Sequence, residues 1–284
     1  MNHSLIPRSL VLRCSGRPVV RYVVRPEVDR RHAPRPYLHP VSTLSGRTVT
    51  DLSPDDHPHH LGASVAVPDV AGSNFWGGRT FVRDQGPVDL ENHGTQRHQG
   101  FKLHDPDGFV EELVWAAGGE VLLRERRTVA AVALTASAWA LDFTFALTNA
   151  TGADLSIGSP ATNGRRGAAY GGFFWRAPKE AKPPEVFTAA ADGEVRAHAA
   201  CADWLALAGD GWTLVFAGAT ARTRRDPWFV RAADYPGVGS SLASTDRLPV
   251  AQGETVVRRV VTVVADGRPG RDEVAALARK AVTA

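Results

Sequence analysis

The stretch Ala138-Trp139-Ala140-Leu141-Asp142-Phe143-Thr144-Phe145-Ala146-Leu147-Thr148-Asn149 decides the fold class. Trp139, Leu141, Phe143, Phe145 and Leu147 fall at every second position, between smaller or polar residues, so an extended chain here has one apolar face. Thr151-Gly152-Ala153-Asp154 then supplies turn chemistry, and residues 155–158 begin the return. The same logic places strands at 203–207 and 212–217 around Gly209-Asp210-Gly211. Residues 255–264 form a long β-branched run, and 10–13 and 19–24 flank Ser15-Gly16 as an N-terminal hairpin over about 8–25 would. Only about 271–282 reads as helix, with Val274, Leu277, Ala278 and Ala281 on one stripe. The expectation is an all-β protein: a large antiparallel β-sandwich, residues 1–284 in a single domain, with one short C-terminal helix. No Gly-x-Gly-x-x-Gly follows a strand, so no nicotinamide is expected, and no flavin either.

The chain has 284 residues, 43% of them apolar and 22% charged, enough for one sizeable core. Residues 1–20 carry Asn2, His3, Arg8, Arg13 and Arg17 and no apolar segment of a secretory leader, which predicts a cytoplasmic protein. Cys14 and Cys201 are too few for a disulfide framework. The net charge of +3 is mildly basic, but arginine replaces lysine throughout and no base-reading helix or zinc-finger spacing accompanies it. Nucleic acid is therefore not an expected partner, and self-association is left open.

The chemistry concentrates in three blocks: Arg35-Pro36-Tyr37-Leu38-His39-Pro40, Asp55-Asp56-His57-Pro58-His59-His60-Leu61-Gly62 and Asn74-Phe75-Trp76-Gly77. Neutral imidazoles bind metals and move protons near neutral pH, so His57, His59 and His60 are candidate ligands of one divalent metal, and His57 and His60, with Asp56, are candidate acid–base groups. Pro58 argues against a helix, so the spacing does not match a helical zinc motif. A polar turn opened by Ser53-Pro54 is the plainer reading of the same block. Glu91-Asn92-His93-Gly94 places His93, a further candidate catalytic group, where a sheet-lined cleft could join it to the cluster. Tyr170-Gly171-Gly172-Phe173-Phe174-Trp175-Arg176 offers aromatics to stack on a sugar and an arginine to hold an oxygen; a bulged core strand is the alternative. Trp228 and Arg231 offer a second pair. Arg35, Tyr37, His39, Asn74, Trp76, Tyr170, Arg176, Trp228 and Arg231 are thus the expected substrate-binding residues.

In these blocks, together with Ser45-Gly46, Val49-Thr50 and Asp226-Pro227-Trp228-Phe229-Val230-Arg231, the chain resembles the soluble bacterial family that carries the name methane oxygenase PmoA, over roughly residues 20–265. The name does not fit the chemistry. A membrane subunit needs apolar stretches of about 20 residues, and the longest run, 129–141, is broken by Thr135 and Ser137. Methane oxidation and a membrane location are rejected on that ground. Members of the family look like galactose mutarotase-type β-supersandwiches and accompany sugar oxidoreductases and isomerases, which implies a small carbohydrate as substrate.

Two mechanisms suit these residues. In one, an oxidised keto-glycoside is cleaved: a histidine takes the proton next to the ketone, and Arg176 or a metal on His57, His59 or His60, with His93 as an optional further ligand, stabilises the developing enolate. In the other, an aldose is opened and reclosed by a histidine acting with Asp56, Glu91 or Glu254. A non-catalytic sugar-binding module is the alternative outside enzymology, since fold does not fix function.

Overall fold

The computed structural model describes residues 8–284; residues 1–7, the start of the segment read for a leader, lie outside it. Two antiparallel sheets carry the fold. Seven strands lie side by side in the order Ser9–Cys14, Arg17–Val23, Tyr37–Val41, Ala63–Ala66, Gly172–Arg176, Gly237–Ser240 and Trp228–Arg231. The second sheet runs Glu185–Thr188, Trp204–Ala208, Trp212–Gly218, Thr255–Asp266, Ala138–Asn149, Glu120–Ala133, Gly108–Ala117 and Thr95–Asp105. The expected sandwich, the N-terminal hairpin and the terminal helix, Arg271–Thr283, are all present, together with a single helical turn at Glu194–Ala197 that no sequence pattern announced. No helix among the described residues is long and apolar enough to cross a membrane.

Period-two alternation explains where each layer sits. Trp139, Leu141, Phe143, Phe145 and Leu147 join Tyr22, Val65, Phe173, Trp175 and Val230 in one buried cluster between the sheets. The intervening Ala138 and Ala140 turn outward into a second buried cluster that also holds Val274, Leu277 and Ala278 of the helix, as the apolar stripe requires. A polar group crosses the main core. The Arg127 guanidinium donates to both Glu125 oxygens at 2.7 and 2.9 Å and to the Tyr22 hydroxyl of the other sheet at 3.0 Å. Tyr22 in turn bonds Glu111, whose other oxygen lies 2.5 Å from His98 Nδ1. Trp115 Nε1 donates to Glu125 at 2.8 Å, so both carboxylates are partnered, as burial demands.

Residues of opposite parity in the seven-stranded sheet face away from the core. Phe174 and Arg176 point outward beside Phe229 and Arg231, while Phe173, Trp175, Trp228 and Val230 point in. Gly237 and Gly239 lie next to them. A Cβ at Gly237 would come within 3.1 Å of both the Phe174 and Tyr235 rings, so the missing side chain makes room for this outer aromatic layer.

Candidate functional site

A cavity of about 530 Å³ opens over the outer face of the seven-stranded sheet. Its floor and walls are aromatic: Trp76 lies 4.5 Å from Tyr170 and 4.8 Å from Phe174, ring to ring, and Phe229 packs against Tyr170 at 5.4 Å. His57, His59 and His60 form one side. The His57 and His60 rings stack at 4.5 Å, His59 meets His60 edge-on at 4.8 Å, and Tyr235 closes against His57 at 4.6 Å. Arg79, Arg165 and Asp234 stand at the rim.

Behind this wall lies Arg176, fully buried. Its Nη1 is 3.3 Å from His60 Nδ1, its Nη2 donates to Asp56 Oδ1 at 3.4 Å, and its charge lies over the Tyr235 ring at 4.7 Å. A guanidinium can only donate, so His60 Nδ1 must be the bare nitrogen and the ring proton sits on Nε2. Burial, reinforced by the neighbouring histidines and arginines, pushes the His60 pKa well below its ordinary value, so the ring is neutral at pH 7. Burial likewise pulls His59 down to about 3. Asp56 Oδ2 lies 3.1 Å from His57 Nδ1, off the direction in which a ring N–H donates; the contact is electrostatic and directs the free Nε2 edge of His57 away from Asp56. Partial burial works against the Asp56 charge, but His57 and Arg176 outweigh it and hold the carboxyl below its usual range. Tyr235 is raised to about 12 by burial, and by Tyr170 beside it, so its phenol stays protonated.

The metal expectation meets an obstacle in this geometry. Among the described residues no group of three or more His, Cys, Asp or Glu side chains is arranged to hold a metal ion. Stacked and edge-on rings present faces to one another, whereas ligation needs three nitrogen lone pairs aimed at one point. His57, His59 and His60 do not fit a metal, and His93 is turned elsewhere: its Nε2 donates to Gly78 O at 2.7 Å, in a neighbouring cavity.

Several residues expected at the substrate are placed beneath or beside the cavity. Arg35 is buried, and its guanidinium donates to the carbonyls of His32, Ala33 and Trp76 at 3.1 Å and of His59 at 2.8 Å, with Nε on Ser64 Oγ at 3.1 Å. Each of its three nitrogens is tied to the surrounding loops, and Arg35 shapes the wall from outside the cavity lining. Burial, with Arg127 nearby, lowers its pKa to about 9, which leaves it charged at neutral pH. Asn74 does similar work: its Oδ1 accepts from the Trp76 and Gly77 amides at 2.8 and 2.9 Å, which turns Trp76 toward the cavity. Tyr37 and His39 lie on an adjacent strand outside the cavity lining, with His39 Nδ1 3.0 Å from Thr50 Oγ1 and its pKa lowered by burial. Trp228 is a core residue whose Nε1 donates to Ala202 O at 2.8 Å. Arg231 does line the cavity, with Nη1 3.0 Å from His198 Nδ1 and Nη2 donating to Gly167 O at 3.0 Å.

Residues 9–279 match the family of unknown function DUF6807. The chain belongs to the DUF6807 family. No curated protein matches this DUF6807 chain. Among solved structures it is similar to a heparan sulfate lyase HepC mutant from Pedobacter heparinus, at 11% identity over 62% of this chain and 22% of that one, with a TM-score of 0.30. It is also similar to heparinase III, the BT4657 gene product, at 11% identity over 89% of this chain and 33% of that one, with a TM-score of 0.33. The DUF6807 chain thus spans a third or less of either protein.

Sequence reasoning passed over Phe229, Tyr235, Arg79, Arg165 and Asp234 of the DUF6807 cavity, and did not separate Phe174, which packs behind Trp76, from Phe173. Phe229 and Phe174 were within reach, because strand parity sets each opposite its neighbour, Trp228 or Phe173. Tyr235, Arg165, Asp234 and Arg79 sit in loops with no periodic signal.

Proposed function

We propose that this protein cleaves an oxidised glycoside by proton abstraction next to a ketone, with the sugar ring held against Trp76, Tyr170 and Phe229. The observation that carries the reading is the Arg176–His60 contact at 3.3 Å, which fixes a neutral imidazole with its N–H directed away from the arginine. A neutral N–H donor beside a carbonyl stabilises the enolate without surrendering its own proton. His57, with Asp56 at Nδ1, is the base: Nε2 takes the proton from the carbon next to the ketone. The electron pair left on carbon forms the enolate, whose oxygen accepts from His60 Nε2–H. Collapse of the enolate forms the C=C bond and breaks the glycosidic C–O bond. The imidazolium of His57 then returns its proton to the departing oxygen, so the protein ends as it began.

Arg176 therefore acts through His60 and Asp56, which corrects the expected direct contact with the enolate. Aldose mutarotation would need a free carboxylate beside a histidine; Asp56 is held by Arg176 and His57, which disfavours that route. The test uses p-nitrophenyl 3-keto-β-D-glucopyranoside and follows nitrophenolate release. The wild type should release it, His57→Ala should abolish the rate, and His60→Gln, which keeps an N–H donor, should retain more activity than His60→Phe. Equal rates in wild type and His57→Ala would sink the proposal, and optical rotation of simple aldoses would then test mutarotation.

A further inference from the structure

A second cavity of about 580 Å³ lies beside the first, lined among others by Arg30, His32, Glu91 and His93. Two residues, His59 and Arg79, line both cavities. The partition between them is closely packed. A Cβ at Gly77 would fall 2.7 Å from His59 Cβ and 2.8 Å from the His32 carbonyl, and one at Gly78 would fall 3.0 Å from the His59 ring, so no side chain other than His59 fits along that ridge. The two cavities are also held in one frame. The Arg35 guanidinium ties the carbonyls of His32 from the second cavity, Trp76 from the first and His59 from the ridge. His93 fixes the Gly78 carbonyl from the far side.

The linings differ in kind. The first cavity is aromatic, as a stacked sugar face requires. The second has no Phe, Tyr or Trp and mixes guanidinium, imidazole and carboxylate groups, which offers donors and acceptors to a polyol. Glu91 is exposed and has no hydrogen-bond partner among the described residues.

We infer that the two cavities are adjoining sugar subsites and that the substrate is a disaccharide or longer glycan whose leaving group is itself a sugar seated in the second cavity. This rests on the carbohydrate reading of the first cavity. The cleaved bond would cross the His59 ridge.

The test is calorimetric titration of wild type, Glu91→Ala and Arg30→Ala with D-glucose, cellobiose, maltose and lactose, run beside the nitrophenyl keto-glucoside assay. The expected result is a disaccharide bound at least about tenfold more tightly than glucose, with the ratio falling toward one in both variants. If glucose binds and no disaccharide gains over it, or if the ratio survives both substitutions, the second subsite is wrong while the catalytic reading stands. A disaccharide gain without nitrophenolate release overturns the catalytic reading and leaves the two-subsite cleft intact. No binding of any of the four sugars while nitrophenolate is released overturns the two-subsite cleft and leaves the catalytic reading standing; no binding and no release overturns both.

Discussion

Replacing Arg35 by methionine keeps most of the side chain's length and removes every donor. Four backbone carbonyls and the Ser64 hydroxyl lose their partner together: His32, Ala33 and Trp76 at 3.1 Å and His59 at 2.8 Å. A buried acceptor left unpaired costs about 1–3 kcal/mol. Four carbonyls would give more than that range at its low end, but removal of a buried charge relieves part of the desolvation cost. The net loss should be about 3–5 kcal/mol, at the upper end for a single substitution. For a chain of this size that lowers the unfolding midpoint by on the order of 10 °C. Arg35→Lys offers three rotatable donors in place of a fork and should fall between the two. Urea unfolding followed by tryptophan fluorescence gives the free energies, and the slope of the transition shows whether the unfolded state has also changed. A midpoint within 2 °C of wild type for Arg35→Met would refute the view that this guanidinium holds the cavity wall together.

Four further outcomes follow from the same geometry. Trp228→Ala should cost about 3–5 kcal/mol as a core deletion, yet sugar binding measured well below its midpoint should match wild type, since Trp228 does not line the cavity. Acid should weaken the fold through the histidines. The folded pKa of His59, about 3, lies below that of the unfolded chain, so below about pH 6.5 the unfolded state binds the proton that the folded state refuses. Stability present above pH 6.5 is lost as pH falls, at up to about 1.4 kcal/mol per pH unit per histidine, and His59→Gln or His60→Gln should flatten that slope in urea titrations. Elemental analysis should find no stoichiometric metal that His57→Ala removes. Nitrogen NMR of histidine-labelled protein should find His60 in the Nε2–H form from pH 5.5 to 8, and Arg176→Met should let the two tautomers mix; an unaltered signal would break the link between Arg176 and His60.

Much of the sandwich was legible because its signal is local. Trp139 to Leu147 alternate within a single strand, and burying such a face leaves few solutions. Parity is also where the reading failed: Trp228 and Phe229 are adjacent aromatics, and choosing the cavity-facing one requires knowing which side of the sheet is the core. The histidine block was legible as a concentration of titratable groups, but its internal geometry was not. Three imidazoles in four positions suit a metal or a stack equally well, and the decision came from Arg176 and Tyr235, far away in sequence. Arg35 and Asn74 were expected at the substrate, and the structure engages both with neighbouring loops. Their partners are backbone atoms of other loops, which no residue type announces.

The polar group in the core, in which Arg127 reaches Tyr22 from across the sandwich, bears on how the cavity-bearing face keeps its shape. Two greasy sheets can slip over one another by a fraction of a side chain at little cost, since dispersion and apolar burial have no direction. A phenol hydroxyl fitted between a guanidinium and a carboxylate tolerates no such drift, because its bonds depend steeply on angle. The knot therefore works as a dowel: it aligns the sheet carrying the cavity against the sheet beneath, so that a ligand pressing on one side meets a platform that does not slide.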